Sequence, residues 1–186
     1  ILTQALRDMP FYEGGGGVTL SGGEPLLQPG LPGLLRALRA AGAHTAVDTA
    51  LNVPFASIEA TLAHTSLFLA DVKAIDQSLH KKLTGADNAL ILRNMRSLAR
   101  AGAAMWNRIP VVPGLNAGEL SAIADFVRSL NRPDIPVELI PYHDMAAGKY
   151  ASLGLEAPLG DVKPPTPAQM AGYYRAFTGL KRVVYA

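Results

Sequence analysis

Glu24, Asp48, Asp71 with Lys73, Arg108, and His143 with Asp144 recur along this chain, each on or just after a short run of apolar and β-branched residues. In an α/β protein the C-terminal ends of parallel strands open into loops on one face, and chemistry collects there. Taken singly, each residue has an ordinary explanation: Asp48 as an N-cap, Arg108 as a surface residue, His143 as a satisfied loop histidine. Five strand ends in a row with an ionisable group are harder to explain that way. Burying unpaired charge is costly, so carboxylates and cations on a common rim must pair with one another or with a ligand carrying both signs. A zwitterionic amino acid moiety suits them, with Glu24 for its ammonium and Lys73, Arg108 or His143 for its carboxylate. No histidine stands near a carboxylate and a serine in the manner of a hydrolytic triad. His44, His64 and His80 read as structural or solvated.

The first of these ends is the most specific. Val18-Thr19-Leu20 finishes in Ser21-Gly22-Gly23-Glu24-Pro25. Two glycines let the backbone approach a ligand and adopt positive φ, and they leave their N–H and C=O groups available. A bare Gly-Gly-Glu turn is common; one closing a strand in this setting is much less so.

The elements that must position these residues can be read from periodicity. Strands are expected at Gly17–Leu20, His44–Asp48, Leu67–Val72, Ala104–Val112, Val137–Pro141 and Arg182–Tyr185. Leu31, Leu34, Leu35 and Leu38 recur at helical spacing and stop at Gly42. Leu120, Ile123, Ala124 and Val127 do the same behind Asn116 and Glu119, which read as an N-cap and its capping-box partner. Met170, Tyr173, Tyr174 and Phe177 follow Thr166, Pro167 and Gln169, which supply cap, first-turn proline and partner. Leu92, Met95 and Ala99 form a further stripe ending at Gly102. The alternation of strand and helix predicts βα units and a parallel sheet.

Composition narrows the function classes. A hydrophobic share of 49% in 186 residues is ample for one core. With 17 basic and 15 acidic residues the formal net charge is +2, which is no electrostatic footprint for nucleic acid. No apolar run approaches the roughly 20 residues of a membrane-spanning helix. Ile1–Pro10 lacks the apolar stretch of a secretory signal, so the expected location is cytoplasmic. The chain contains no cysteine, which removes disulfides, thiol nucleophiles and thiolate metal ligands from these 186 residues. Ile1 opens a segment that reads as the middle of something, so an N-terminally truncated single domain over 1–186 is expected.

Gly16-Gly17-Val18-Thr19-Leu20-Ser21-Gly22-Gly23-Glu24-Pro25, Val47-Asp48-Thr49, Asp71-Val72-Lys73, Arg108 with Val111-Val112-Pro113-Gly114, and Pro141-Tyr142-His143 together resemble the glycyl-radical enzyme activating enzymes. These are radical S-adenosylmethionine (SAM) proteins of the pyruvate formate-lyase activating enzyme type. Asp76, His80, Thr84-Gly85 and Asn88 are similar to the same family, and the likeness runs from about Gly14 to Pro165. It implies an α/β fold, a partial (β/α)6 TIM-like barrel of the radical SAM type, here with the first strand and the cluster loop missing. It further implies that Gly22, Gly23 and Glu24 hold the amino group of SAM, and that Lys73 and His143 contact its carboxylate or ribose. By the same resemblance Asp71 and Val72 line that edge, and Arg108 lies near the cofactor. Asp48, Thr49 and Asp71, with the carbonyl of Leu69, match positions that coordinate a monovalent cation beside SAM.

The implied activity is that of an oxidoreductase. A reduced 4Fe-4S cluster cleaves SAM, and the resulting radical takes a hydrogen from a glycine of a pyruvate formate-lyase-like partner. The partner's glycine loop would enter near Arg108, His143 and the Asp144–Tyr150 loop, and an external donor such as flavodoxin would supply the electron. Two departures stand out. Family members follow the Asp-Thr pair with a polar residue and a glycine, whereas this sequence reads Ala50-Leu51, a change that bears on the loop and the cation site. The three cysteines of the family's C-x3-C-x2-C loop are absent, so the cluster is expected upstream and this chain alone is expected to be inactive. The alternatives are a non-catalytic SAM- or partner-binding remnant without an iron–sulfur cluster, and a Schiff-base enzyme using a desolvated Lys73. The second leaves the Gly-Gly-Glu turn without a role.

Overall fold

The computed structural model describes residues 1–12, 16–145, 152, 154, 159 and 161–183. In chain order the helices are α1 (Leu2–Arg7), α2 (Leu31–Ala40), α3 (Phe55–Leu62), α4 (Gln77–Thr84), α5 (Ala89–Arg100), α6 (Leu120–Ser129) and α7 (Pro167–Tyr173). The strands are β1 (Gly17–Leu20), β2 (His44–Thr49), β3 (Leu67–Asp71), β4 (Met105–Val111) and β5 (Val137–Pro141). They form a parallel sheet ordered β1-β2-β3-β4-β5, which stays open among the described residues. The fold class is therefore α/β, as the alternation of patterns predicts. Contacts group the chain into two compact units, Ile1–Asp71 with Asn88–Asn107, and Val72–Asp87 with Arg108–Ala186. No helix among the described residues is long and apolar enough to cross a membrane.

In the first unit, α2 begins behind Gly30 with Pro32 in its first turn, where a missing N–H costs nothing. Its buried face is Leu31, Leu35 and Leu38, each contributing about 2 kcal/mol by burial. Gly42 ends it at φ +88, with Gly42 N–H on Arg39 O and Ala43 N–H on Leu38 O. That pair of bonds is a Schellman stop, and it needs a residue that tolerates the left-handed region. Gly102 at φ +72 closes α5 the same way, with Gly102 N–H on Ala99 O and Ala103 N–H on Leu98 O. The buried stripe of α5 is Ile91, Asn94, Met95, Leu98 and Ala99: Met95 and Ala99 are as predicted, Leu92 is half-buried, and the stripe includes a polar residue. Between strands, Thr19 lies opposite Ala46 and Asp48 opposite Leu69, which sets the C-terminal ends of β1, β2 and β3 side by side.

In the second unit, Val72 N–H bonds Arg108 O at 2.8 Å and Tyr142 N–H bonds Val111 O at 3.0 Å. Asp76 caps α4 by accepting from Leu79 N–H at 2.7 Å, and Gly85 closes it at φ +81. The capping box before α7 is as predicted: the Thr166 hydroxyl accepts from Gln169 N–H, and the Gln169 side chain accepts from Thr166 N–H. The box predicted at Asn116 and Glu119 does not form. Asn116 is 2% exposed; it accepts from Val112 N–H and donates to the carbonyls of Lys73 and Pro110. Glu119 accepts from the N–H groups of Ile75 and Asp76 at 2.8 and 2.7 Å. Glu119 thus satisfies backbone groups 44 and 43 residues back and Asn116 groups 4, 6 and 43 residues back, and a 3-10 turn at Ala117–Glu119 leads into α6 instead. Of the predicted strand Arg182–Tyr185, Arg182 forms a parallel bridge with Val137, and residues 184–186 lie outside the described set.

Candidate functional site

After β1 the chain turns through Gly22 at φ +138, a setting that a side chain would strain. A Cβ added at Gly22 or Gly23 would meet no atom beyond its chain neighbours within 4 Å, so both residues border open space on that side. That space belongs to a cleft of about 660 Å³ walled by Leu20–Pro25, Gln28 and Leu31. Its size lies in the range of small-molecule sites.

Glu24 follows at the entrance of the 3-10 turn Pro25–Leu27, and its Oε1 accepts from Leu26 N–H at 3.2 Å. The buried Thr49 hydroxyl donates to the same oxygen at 2.8 Å, and Ala50 N–H donates to Oε2 at 3.0 Å. Every one of these donors is neutral. Among the described residues Glu24 makes no ion pair. A carboxylate offers about four acceptor positions, so three bonds leave capacity, and neutral donors leave its full charge. Chemically, this is a fixed carboxylate beside the Gly22-Gly23 turn, with acceptor capacity left for a further hydrogen-bond donor.

Thr49 links this arrangement to β2. Its oxygen also accepts from Leu51 N–H at 2.8 Å, so both the hydroxyl proton and one acceptor position are committed inside the protein. Asp48 and Asp71 are half-buried at the ends of β2 and β3, and each makes a further interaction. Among the described residues no group of three or more His, Cys, Asp or Glu side chains is placed to share a metal ion. The cation expected at Asp48, Thr49 and Asp71 gains no support from this geometry.

In the second unit, Lys73 and Lys82 with Thr84, Asn116 and Leu159 wall a cavity of about 670 Å³. Asn116 fixes the Lys73 backbone through its carbonyl at 2.8 Å. Val72 is 1% exposed, its side chain in the core. Arg108 pairs with Glu138, with Nε to Oε2 at 3.3 Å, the side chains 24% and 12% exposed. His143 and Asp144 are exposed after β5, and residues 146–150 of the expected partner loop lie outside the described set. His80, expected to be structural or solvated, is 3% exposed and bonds Ala86 O through Nδ1 at 2.8 Å, tying α4 to the turn after it.

Residues not foreseen from the sequence are Asn94 and Glu138. Asn94 is 1% exposed and donates through Nδ2 to the carbonyls of Leu51 and Val53 at 2.9 and 2.8 Å. A signal for it existed: it stands three residues after Ile91 and four before Leu98, a polar residue on an otherwise apolar stripe. Leu51, which the sequence places where the family has a glycine, holds φ +58 while fully buried, so the loop keeps a glycine-like conformation.

A family model described as the radical SAM superfamily matches residues 2–127. An isethionate sulfite-lyase activating enzyme of Desulfovibrio desulfuricans is 42% identical, over 87% of this chain and 53% of its own length. A pyruvate formate-lyase-activating enzyme of Staphylococcus epidermidis is 37% identical, over 94% of this chain and 73% of its own length. The chain thus spans about half to three quarters of these relatives. Among solved structures, a domain of a pyruvate-formate lyase-activating enzyme from Bacteroides vulgatus aligns with a TM-score of 0.76 at 32% identity, covering 92% of this chain and all of that one.

Proposed function

The chain belongs to the radical SAM superfamily and, within it, to the family of the pyruvate formate-lyase-activating enzymes, and from that premise we propose that it binds SAM as part of an enzyme that installs a glycyl radical on a partner protein. When bound, SAM supplies the deoxyadenosyl radical chemistry; the protein's task is to bind, orient and exclude water. In the first unit Gly22 and Gly23 border open space, and Glu24 offers a fixed carboxylate to the methionine ammonium. Lys73, Arg108 and His143 of the second unit, with Asp48, Asp71 and Val72, keep the cofactor roles that the family likeness implies. A chain without cysteine has no thiolate for an iron–sulfur cluster, so what is proposed for these residues is binding and positioning. The substrate is a glycyl-radical enzyme of the pyruvate formate-lyase or isethionate sulfite-lyase kind, with electrons from an external donor.

The observation that carries this reading is the Glu24 carboxylate, held by three neutral donors beside the Gly22-Gly23 turn. Calorimetric titration of the chain with SAM tests it. Losing a charge-assisted hydrogen bond, Glu24→Gln is expected to weaken binding by about 10- to 100-fold. Equal affinity of wild type and variant would remove Glu24 from the site, and absence of uptake by the wild type would defeat the binding role assigned to this chain.

A further inference from the structure

Leu51 combines two features that oppose each other. Its side chain is fully buried, and its backbone sits at φ +58, where a residue with a Cβ is disfavoured. Something must hold it there. Asn94 of α5 does so from one side, with Nδ2 donating to Leu51 O at 2.9 Å and to Val53 O at 2.8 Å. Thr49 does so from the other, with Oγ1 accepting Leu51 N–H at 2.8 Å. Held between these clamps, the 49–51 turn aims two donors at one carboxylate: Thr49 Oγ1 at Glu24 Oε1, 2.8 Å, and Ala50 N–H at Glu24 Oε2, 3.0 Å.

We propose that Asn94 is a positioning residue for Glu24, acting through the left-handed turn at Leu51 to orient the carboxylate that receives the ammonium of SAM. The inference rests on the SAM-binding reading for the ligand, but the relay itself is a property of the protein alone. An amide is required at Asn94 because one nitrogen must donate to two carbonyls at once. A carboxylate of the same size has no donor and would repel both. Strained backbone persists where its surroundings over-determine it, and such sites cluster at ligand clamps.

Two measurements on the full chain decide it. In amide hydrogen exchange by NMR, Asn94→Asp is expected to lower protection of the Ala50 N–H by about tenfold, the loss of one well-formed hydrogen bond, while Val47 within β2 is unchanged. Unchanged Ala50 protection, or an equal fall at Val47, overturns the proposal, since a merely structural role moves all these amides together. If Asn94→Asp does not fold, Asn94→Ser, which introduces no charge, makes the same comparison. In SAM titration, Asn94→Asp is expected to weaken binding about tenfold in wild type and to have no further effect in a Glu24→Gln background, because coupled residues are non-additive. Equal losses in both backgrounds overturn the proposal. If the wild type takes up no SAM, the functional reading fails, and the exchange measurement still decides the relay.

Discussion

Glu24 in the first unit and Glu138 in the second are carboxylates on or after strands of one sheet, and they are satisfied in opposite ways. Glu138 faces the Arg108 guanidinium at 3.3 Å, so its charge is cancelled inside the protein. Glu24 is fixed by a hydroxyl and two backbone N–H groups, which orient it without neutralising it. The first carboxylate, Glu138, has its counter-charge within the protein; the second, Glu24, among the described residues, is held by neutral donors alone. Net charge at a site is decided by the kind of donor that holds it, and counting hydrogen bonds alone does not distinguish the two.

The largest expected effect that would break this contrast is on Glu138. Removing one member of a fully buried pair costs 3–5 kcal/mol, and the partial exposure here reduces that, so Arg108→Met is expected to destabilise by about 2 kcal/mol in urea unfolding. No loss would mean that Glu138 is already satisfied without Arg108. Next in size is Thr49. Thr49→Val keeps the shape, removes the hydroxyl donor to Glu24 and leaves Leu51 N–H unpaired, at a cost of about 1–2 kcal/mol, whereas Thr49→Ser keeps both bonds and loses mainly a methyl group. If Ser and Val cost the same, packing and not the hydroxyl is what matters there.

The smallest effect concerns a third carboxylate, paired but exposed. The Arg132 side chain hydrogen-bonds Asp134 and lowers its pKa to about 2 from an ordinary 3.8. A depressed carboxyl favours the folded state above its unfolded value and loses that contribution as pH falls towards 2. Thermal unfolding of Asp134→Asn is therefore expected to match wild type below about pH 2 and to fall slightly short of it at neutral pH. A deficit that persists unchanged at pH 2 would point to a cause other than the ionised pair.

What could be read from the sequence follows from how local each signal is. Gly42 and Gly102 mark helix ends because the bonds they permit lie within the same helix, and Thr166 with Gln169 forms its box for the same reason. Asn116 and Glu119 have the same spacing pattern, yet backbone groups at 73, 75, 76, 110 and 112 claim them, and no local rule sees that demand. The strand ends and the residues on them were legible because period and turn chemistry agree there. That Thr49 serves Glu24, and that Asn94 serves Leu51, depends on register and packing between segments dozens of residues apart. Asn107 is a further case: 0% exposed, with neither side-chain polar atom partnered among the described residues, it sits where the strand pattern calls for an apolar residue.

The agreement of sheet order with chain order has a consequence for how the molecule is made. From β2 onward every strand docks beside the one translated immediately before it, so the sheet can extend by accretion at a single growing edge as the ribosome releases the chain. Among the described strands none has to be inserted between two already paired. A nascent chain arrested after β3 would already contain both Glu24 and Thr49, but not yet α5, whose Asn94 holds the carbonyl of Leu51.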